Sequence, residues 1–298
     1  MRFSLIIPTY NRQALLRRCL TAAITQHYSD YEVIVVDDGS TDNTKEVVRD
    51  EFPQVYYIRQ ESNRGPAAAR NRGIAAATGE IIAFTDDDCL VPADFLVRLA
   101  EGYQQYPEVA GVGGYLEAPE DVLQQNIFAR FEAYVTHCVY HAGTEPYVGG
   151  FECPAGGTNS MSYRREVLLE VGGFDETFPY AAGEDADLKW RVAEQGYRLL
   201  YVPVKVAHLQ PYHFRSFWRQ HRQRGRGAVH FERKYYGRPP SLARLALRLA
   251  ARWARWLPNI LRLGSILATV KLLSELADWL GQWEEVTRSH LRWNGFWM

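Results

Sequence analysis

Over its first hundred residues the chain alternates two hydrophobic rhythms. Short apolar runs at residues 3–7, 32–36, 55–59 and 81–84 each end in polar punctuation, the pattern of buried strands. Between them, residues 14–24 carry Leu15, Leu16, Cys19, Leu20 and Ile24 at helical spacing, and residues 67–77 form an alanine-rich helical stretch. A helix over 93–106 and a strand over 109–116 follow. Strands separated by helices of this length predict right-handed βαβ units and a mostly parallel sheet. Past Glu117 the rhythm loosens. Residues 122–140 read as helical, a glycine-rich stretch runs through Gly149-Gly150 and Gly156-Gly157, helices are predicted over 164–171 and 185–194, and a strand over 199–206. Gly237-Arg238-Pro239-Pro240 is the clearest linker. Beyond it Leu242, Leu245, Leu249, Trp253 and Trp256 recur every three or four residues, beside a stripe of Arg244, Arg248, Arg252 and Arg255.

Composition is that of an ordinary globular protein, 47% hydrophobic and 23% charged over 298 residues. The net charge of −1 hides an asymmetry, because fourteen Lys and Arg lie between Lys205 and Arg262 with only Glu232 opposing them. A basic C-terminal third suggests phosphate groups as partners, on a nucleotide or a lipid surface; no nucleic-acid partner is expected. Cys19, Cys89, Cys138 and Cys153 show no metal or redox spacing and read as buried thiols in a reducing compartment. The N-terminal apolar run is too short for a signal peptide, and residues 256–280 are interrupted by Arg262, Lys271, Glu275 and Asp278, so no spanning helix is expected. The expected location is cytoplasmic, with the protein peripheral on the inner face of the cytoplasmic membrane.

Four polar clusters sit at the ends of predicted strands, where open α/β sheets bind ligands. Pro8-Thr9-Tyr10-Asn11 offers a ring to stack on a nucleobase, or simply a proline turn. Asp37-Asp38-Gly39-Ser40 offers a carboxylate to a base or ribose, while Ser40 and Asp42 also suit a helix cap. Asn63-Arg64-Gly65-Pro66 leads to Arg70-Asn71, which can bring a guanidinium to a diphosphate. Asp86-Asp87-Asp88 packs three like charges that call for a cation, a hard divalent ion being the natural candidate and a solvated acidic turn the plain alternative.

Together these clusters resemble the inverting family-2 glycosyltransferases with the GT-A fold. The likeness rests on Ile6-Ile7-Pro8-Thr9-Tyr10-Asn11-Arg12, on Val35 to Asp42, on Asn63-Arg64-Gly65 with Ala69-Arg70-Asn71, and on Phe84 to Asp88. It continues through Gly172-Gly173-Phe174-Asp175-Glu176 and Gly183-Glu184-Asp185-Ala186-Asp187-Leu188, covering about residues 2–230. The resemblance implies a nucleotide-sugar half over 1–116, an acceptor half over 117–236 and a helical appendage over 237–298. It implies that Pro8, Thr9, Tyr10, Arg12 and Asp38 line the base pocket and that Arg70 faces the nucleotide. Asp86, Asp87 and Asp88 match the metal-binding DxD signature. Because Thr85 stands where many members carry the first aspartate, either Asp86 or Asp87 joins Asp88 on the ion. His208 matches a third ligand, and imidazole favours Mn²⁺ over Mg²⁺. Glu184 and Asp185 match the acidic pair whose aspartate serves as base, although acids at a helix start also answer the helix dipole. Gly157 and Asn159 match a stretch near the transferred sugar. Arg222 and Arg226 fall in a segment resembling a mobile basic lid over the diphosphate, with a solvated basic helix as the competing reading.

The expected activity is therefore metal-dependent inverting transfer of a sugar, from a UDP-sugar by preference, to a hydroxyl of a glycan or lipid-linked glycan in cell-surface polysaccharide assembly. A catalytically silent nucleotide-sugar binding protein is the alternative. A nucleotidyltransferase lacks its glycine-rich activator loop here, and Gly111-Val112-Gly113-Gly114 lacks dinucleotide spacing. Residues 242–280 have the composition of a helix in a membrane interface, or of one packed on the domain or on a second copy of the chain.

Overall fold

The computed structural model describes residues 1–178 and 182–293, so the last five residues of the expected appendage, 294–298, lie outside the described residues. The chain forms two compact units: one of residues 1–120, 133–176 and 184–210, the other of 121–132, 177–183 and 211–298.

The first unit is a mixed α/β layer structure around one sheet. Its strands are β1 (Phe3–Thr9), β2 (Tyr31–Asp37), β3 (Tyr56–Arg59), β4 (Ile81–Phe84), β5 (Cys89–Leu90), β6 (Gly111–Glu117), β7 (Tyr147–Gly149), β8 (Met161–Arg164) and β9 (Leu199–His208). The order is β3-β2-β1-β4-β8-β6-β9-β5, with β7 also pairing β9. Strands β1–β4, β6 and β9 run one way and β5, β7 and β8 the other. Its helices are α1 (Gln13–Ala23), α2 (Thr44–Glu51), α3 (Pro66–Ala76), α4 (Phe95–Gln105), α7 (Arg165–Glu170) and α8 (Glu184–Glu194), whereas α5 (Glu120–Gln125) and α6 (Ile127–Tyr134) fall mostly in the second unit.

Alternation along the strands divides the core. Phe3, Leu5, Ile7, Val33 and Val35 face the cluster holding α1, α2 and α4, whereas Ile6, Ile34 and Val36 face α3, α7 and α8. Both faces of the sheet are thus covered, which is why these strands read as continuous apolar runs rather than as alternating ones. β1 lies between β2 and β4, so the chain reverses direction along the sheet there and the C-terminal ends of the three strands open one crevice.

The helix expected over 122–140 is broken. Asn126 supplies the reason: its Oδ1 accepts from the backbone N–H of Phe128 and Ala129 at 2.9 and 3.3 Å, capping α6 anew. After α6 a π-helical turn, Val135–Val139, carries Cys138 to the surface, so the expectation of four buried thiols holds for Cys19, Cys89 and Cys153 only.

In the second unit, α9 (Phe214–Tyr236) packs along α12 (Ser265–Trp293), with α10 (Leu242–Ala254) and α11 (Trp256–Leu263) between them in sequence. A capping box opens α9, His213 Nδ1 accepting from Ser216 N at 3.2 Å and Ser216 Oγ accepting from His213 N at 3.3 Å. Gly237, with φ of 71°, ends it. Gly225 of α9 and Gly281 of α12 make the close approach possible. A Cβ on Gly225 would strike the Asp278 carbonyl, and one on Gly281 the Arg222 carbonyl, both inside van der Waals contact. No described helix is long and apolar enough to cross a membrane.

Candidate active site

All three aspartates of the triplet stand just beyond the C-terminal end of β4, and each finds different partners. Asp86 receives Arg70 at 2.8 Å. Asp87 is buried; it accepts from the Thr9 hydroxyl at 2.8 Å and from Arg12 at 3.0 Å. Burial, only partly offset by Arg12, pushes its carboxyl up to about 6. Asp88 accepts from Arg12 at 3.0 Å and lies 3.5 Å from His208 Nε2. Burial alone would raise the Asp88 carboxyl, but His208 and Arg12 outweigh it and hold the group below its ordinary value. Arg12 and Arg70 thus supply part of the cationic compensation that the triplet demands.

His208 reaches Asp88 through a two-residue strand. β5 pairs antiparallel with the end of β9, setting Cys89 opposite His208, and Leu209 N donates to the Asp88 carbonyl at 2.7 Å. Ligand atoms of Asp88, Cys89 and His208 lie within 4.8 Å of one another. Carboxylate and imidazole suit a divalent ion such as Mn²⁺, so these two fit the expected metal. Burial, then Asp86 and Asp88, push the Cys89 thiol far above its ordinary range.

A continuous chain of charges joins the triplet to the acidic pair. Arg70, on α3 and buried, donates to Asp86 through one nitrogen and to Glu184 Oε1 through another at 3.0 Å. Burial and then Asp185 outweigh Arg70 and raise the Glu184 carboxyl to about 7. Glu184 Oε2 and Arg70 Nε are buried without a hydrogen-bond partner among the described residues. Asp185, half-buried in the first turn of α8, accepts from the Ala186 N–H at 2.8 Å. Helix α8 is anchored from below: Arg191 pairs with buried Asp187 at 2.9 Å and donates to the carbonyls of Val171 and Gly173.

The remaining predicted residues fall in different places. Tyr10 is exposed at the end of β1, and Pro8 is buried within that strand. Asp38 is a loop organiser: Oδ1 accepts from Gln60 Nε2 and Arg64 N, both at 2.7 Å, and Oδ2 from Gly65 N at 2.8 Å. Burial prevails over these bonds and raises its carboxyl. One lone pair on Oδ2 is left over by this count. Thr85 donates to the Asn159 carbonyl at 3.1 Å, fixing the loop of Gly157 and Asn159 at the end of β4. Arg222 and Arg226 belong to the second unit, within the 23-residue α9, and both pair with Glu284 of α12. Their stretch, expected as a mobile lid, is regular helix because Phe217, His221, Gly225 and Val229 recur every fourth residue as its buried stripe.

Two supporting residues escaped the sequence reading. Asn71 clamps the Gly172-Gly173-Phe174 turn, with Oδ1 accepting from Phe174 N at 2.8 Å and Nδ2 donating to the Phe174 carbonyl at 2.9 Å. A Cβ on Gly173, where φ is 66°, would collide with Asn71 Oδ1. Glu176 then receives Arg64 and Asn71, each at 2.9 Å. Their presence in two of the matched motifs was the available signal.

Comparison with known proteins agrees with this geometry. The sequence model "Glycosyl transferase family 2" matches residues 4–170. Pre-mycofactocin glycosyltransferase of Mycobacterium tuberculosis is 35% identical over 221 residues, which are 69% of this chain and 42% of that protein. Glucosyl-dolichyl phosphate glucuronosyltransferase of Haloferax volcanii is 27% identical over 75% of this chain and 77% of its own. The chain spans about half the length of the first curated relatives, 42% of the mycobacterial protein and 58% of a Nostoc glycosyltransferase. Among solved structures, a mannosyltransferase of Pyrobaculum calidifontis in complex with GDP-Man and Mn²⁺ shares the fold at a TM-score of 0.64 and 23% identity, over 93% of this chain and 86% of that one.

Proposed function

Since the chain belongs to glycosyl transferase family 2, we propose that it transfers a sugar with inversion from a UDP-sugar to a hydroxyl of a lipid-linked glycan, with a divalent cation held by Asp88 and His208. The observation that carries this reading is the ion-pair chain Asp86–Arg70–Glu184, which ties the carboxylates of a donor site to the helix start bearing Asp185. The cation, when bound, neutralises charge that develops on the departing diphosphate.

The other steps belong to side chains. Tyr10 stacks on the base, and a uracil N3–H is a suitable donor for the remaining lone pair of Asp38. Arg70 holds Asp86 and Glu184 in register with each other. Asp185 takes the proton from the acceptor hydroxyl as it attacks the anomeric carbon from the face opposite the diphosphate. Mn²⁺ is favoured over Mg²⁺ by the imidazole ligand. The acceptor class is supported by the dolichyl phosphate in the name of the Haloferax relative, and the nucleotide-diphosphate donor and Mn²⁺ by the contents of the Pyrobaculum structure.

Replacement Asp185→Asn tests the assignment. Loss of a general base lowers turnover by roughly 10²–10⁴-fold. A UDP-sugar with Mn²⁺ should still raise the melting temperature of the variant as it does that of the parent chain. Undiminished transfer by the variant would remove Asp185 as base. Absence of turnover in the parent chain, with donor binding intact, would favour a silent binding protein.

A further inference from the structure

Helix α10 is amphipathic in the inverted sense. Its inner side carries the buried Leu245 together with two arginines turned toward the protein. Arg248 pairs with Glu232 of α9 at 2.9 Å and with Gln282 of α12 at 3.1 Å. Arg252 pairs with Asp278 at 2.7 Å and reaches the Glu275 carbonyl at 2.7 Å. On its solvent side Leu247 is 72% exposed and Trp253 57%, and Leu261 of α11 at 87% and Ile266 at the start of α12 at 66% are exposed as well. A helix lying on a water-soluble protein ordinarily shows the opposite arrangement. Scattered exposed apolar residues need no explanation, but three successive helices that each expose a large apolar side chain, tryptophan among them, offer a candidate contact surface.

Charge selects the partner. From Arg233 to Ser274 the chain contains no Asp or Glu, while Arg244 and Arg255 are exposed on α10 and at its end. A two-fold contact with a second copy would set this patch against itself, bringing together cationic segments that contain no carboxylate to offset them. An anionic lipid surface is complementary on both counts. It accepts aliphatic and indole groups at the headgroup boundary, and it attracts the arginines. We propose that the outward face of α10 and α11 docks this protein on an anionic membrane surface, without crossing it. The contact is independent of the chemistry assigned to the sheet edge.

Flotation of the full chain with phosphatidylglycerol/phosphatidylcholine vesicles, against pure phosphatidylcholine, tests this at low salt. The parent chain should float with the anionic vesicles. Leu247→Glu/Leu261→Glu should cut the bound fraction at least tenfold while leaving the melting temperature unchanged, since both side chains are exposed. Arg244→Glu/Arg255→Glu should reduce binding to the anionic vesicles, and raised salt should do the same. Undiminished flotation of the leucine variant would overturn the proposal. So would failure of the parent to float at low salt, or a dimer seen by sedimentation that Leu247→Glu/Leu261→Glu dissociates.

Discussion

Arg70→Met offers the sharpest test of the ion-pair chain. The substitution keeps a long unbranched side chain on α3 but leaves two carboxylates, Asp86 and Glu184, without their shared guanidinium. Asp86 is partly exposed and can rehydrate; Glu184, with 7% of its side chain exposed, cannot. Glu184 takes up a proton rather than stay charged and unpaired, so from its value of about 7 the loss at pH 8 is limited to about 1–1.5 kcal/mol. At roughly 2–4 °C per kcal/mol for a domain near this size, melting at pH 8 should fall by about 2–6 °C. The pH dependence follows from Glu184. Its folded value, about 7, already exceeds the ordinary 4.5, and loss of Arg70 raises it further. A carboxyl raised on folding binds more protons in the native state, so stability declines as pH climbs through that interval. The gap between Arg70→Met and the parent should therefore be widest near pH 8 and shrink near pH 5, where Glu184 is protonated in both. Adding Glu184→Met to Arg70→Met should recover most of the loss, because an apolar pair can replace a buried ionic one. Scanning calorimetry at the two pH values gives the answer. An equal deficit at both, or a double variant as weak as the sum of the singles, would refute the electrostatic account.

Glu132→Gln probes the second unit. Burial would raise the Glu132 carboxyl, yet Arg224 and His221, the latter 2.9 Å away, pull it down to about 2 from an ordinary 4.5. That depression is worth about 3 kcal/mol, fully present above pH 4.5 and lost as pH falls toward 2. The variant should thus be least stable relative to the parent at neutral pH and converge with it in acid, as followed by urea unfolding. Gly225→Val should cost about 1–3 kcal/mol or more by forcing α9 away from α12, with Gly225→Ala milder, read by the same unfolding curves.

Much of the sheet was legible because each long strand is a buried run with polar residues at its end. Strand β8, residues Met161–Arg164, was missed: it inserts antiparallel between β4 and β6, and its four residues follow glycine turns that show no period. Strand β5 escaped for a simpler reason, being two residues long. The triplet was recognisable as a candidate site, but its internal division was not. Which aspartate meets Thr9, Arg70 or His208 depends on side-chain direction at a strand end, and spacing carries no record of that. Asp38 illustrates the same limit, since its role in holding Arg64 and Gly65 needs the loop closed on it. The segment of Arg222 and Arg226 resembled a mobile lid, whereas the fold uses Gly225 within it as a contact point between helices.

The short pairing of β5 with β9 has a consequence for how the molecule comes into being. Asp88 leaves the ribosome long before His208, and the stretch 4–170 that identifies the family contains neither His208 nor the pair Glu184-Asp185. A nascent chain displaying every aspartate of the triplet still lacks the strand that brings His208 to Asp88. Its crevice is completed only when β9 is laid beside β6 and its last residue meets the turn after the triplet. The meeting of Asp88 with His208 is therefore a late event in synthesis, dictated by which strand arrives last at the sheet.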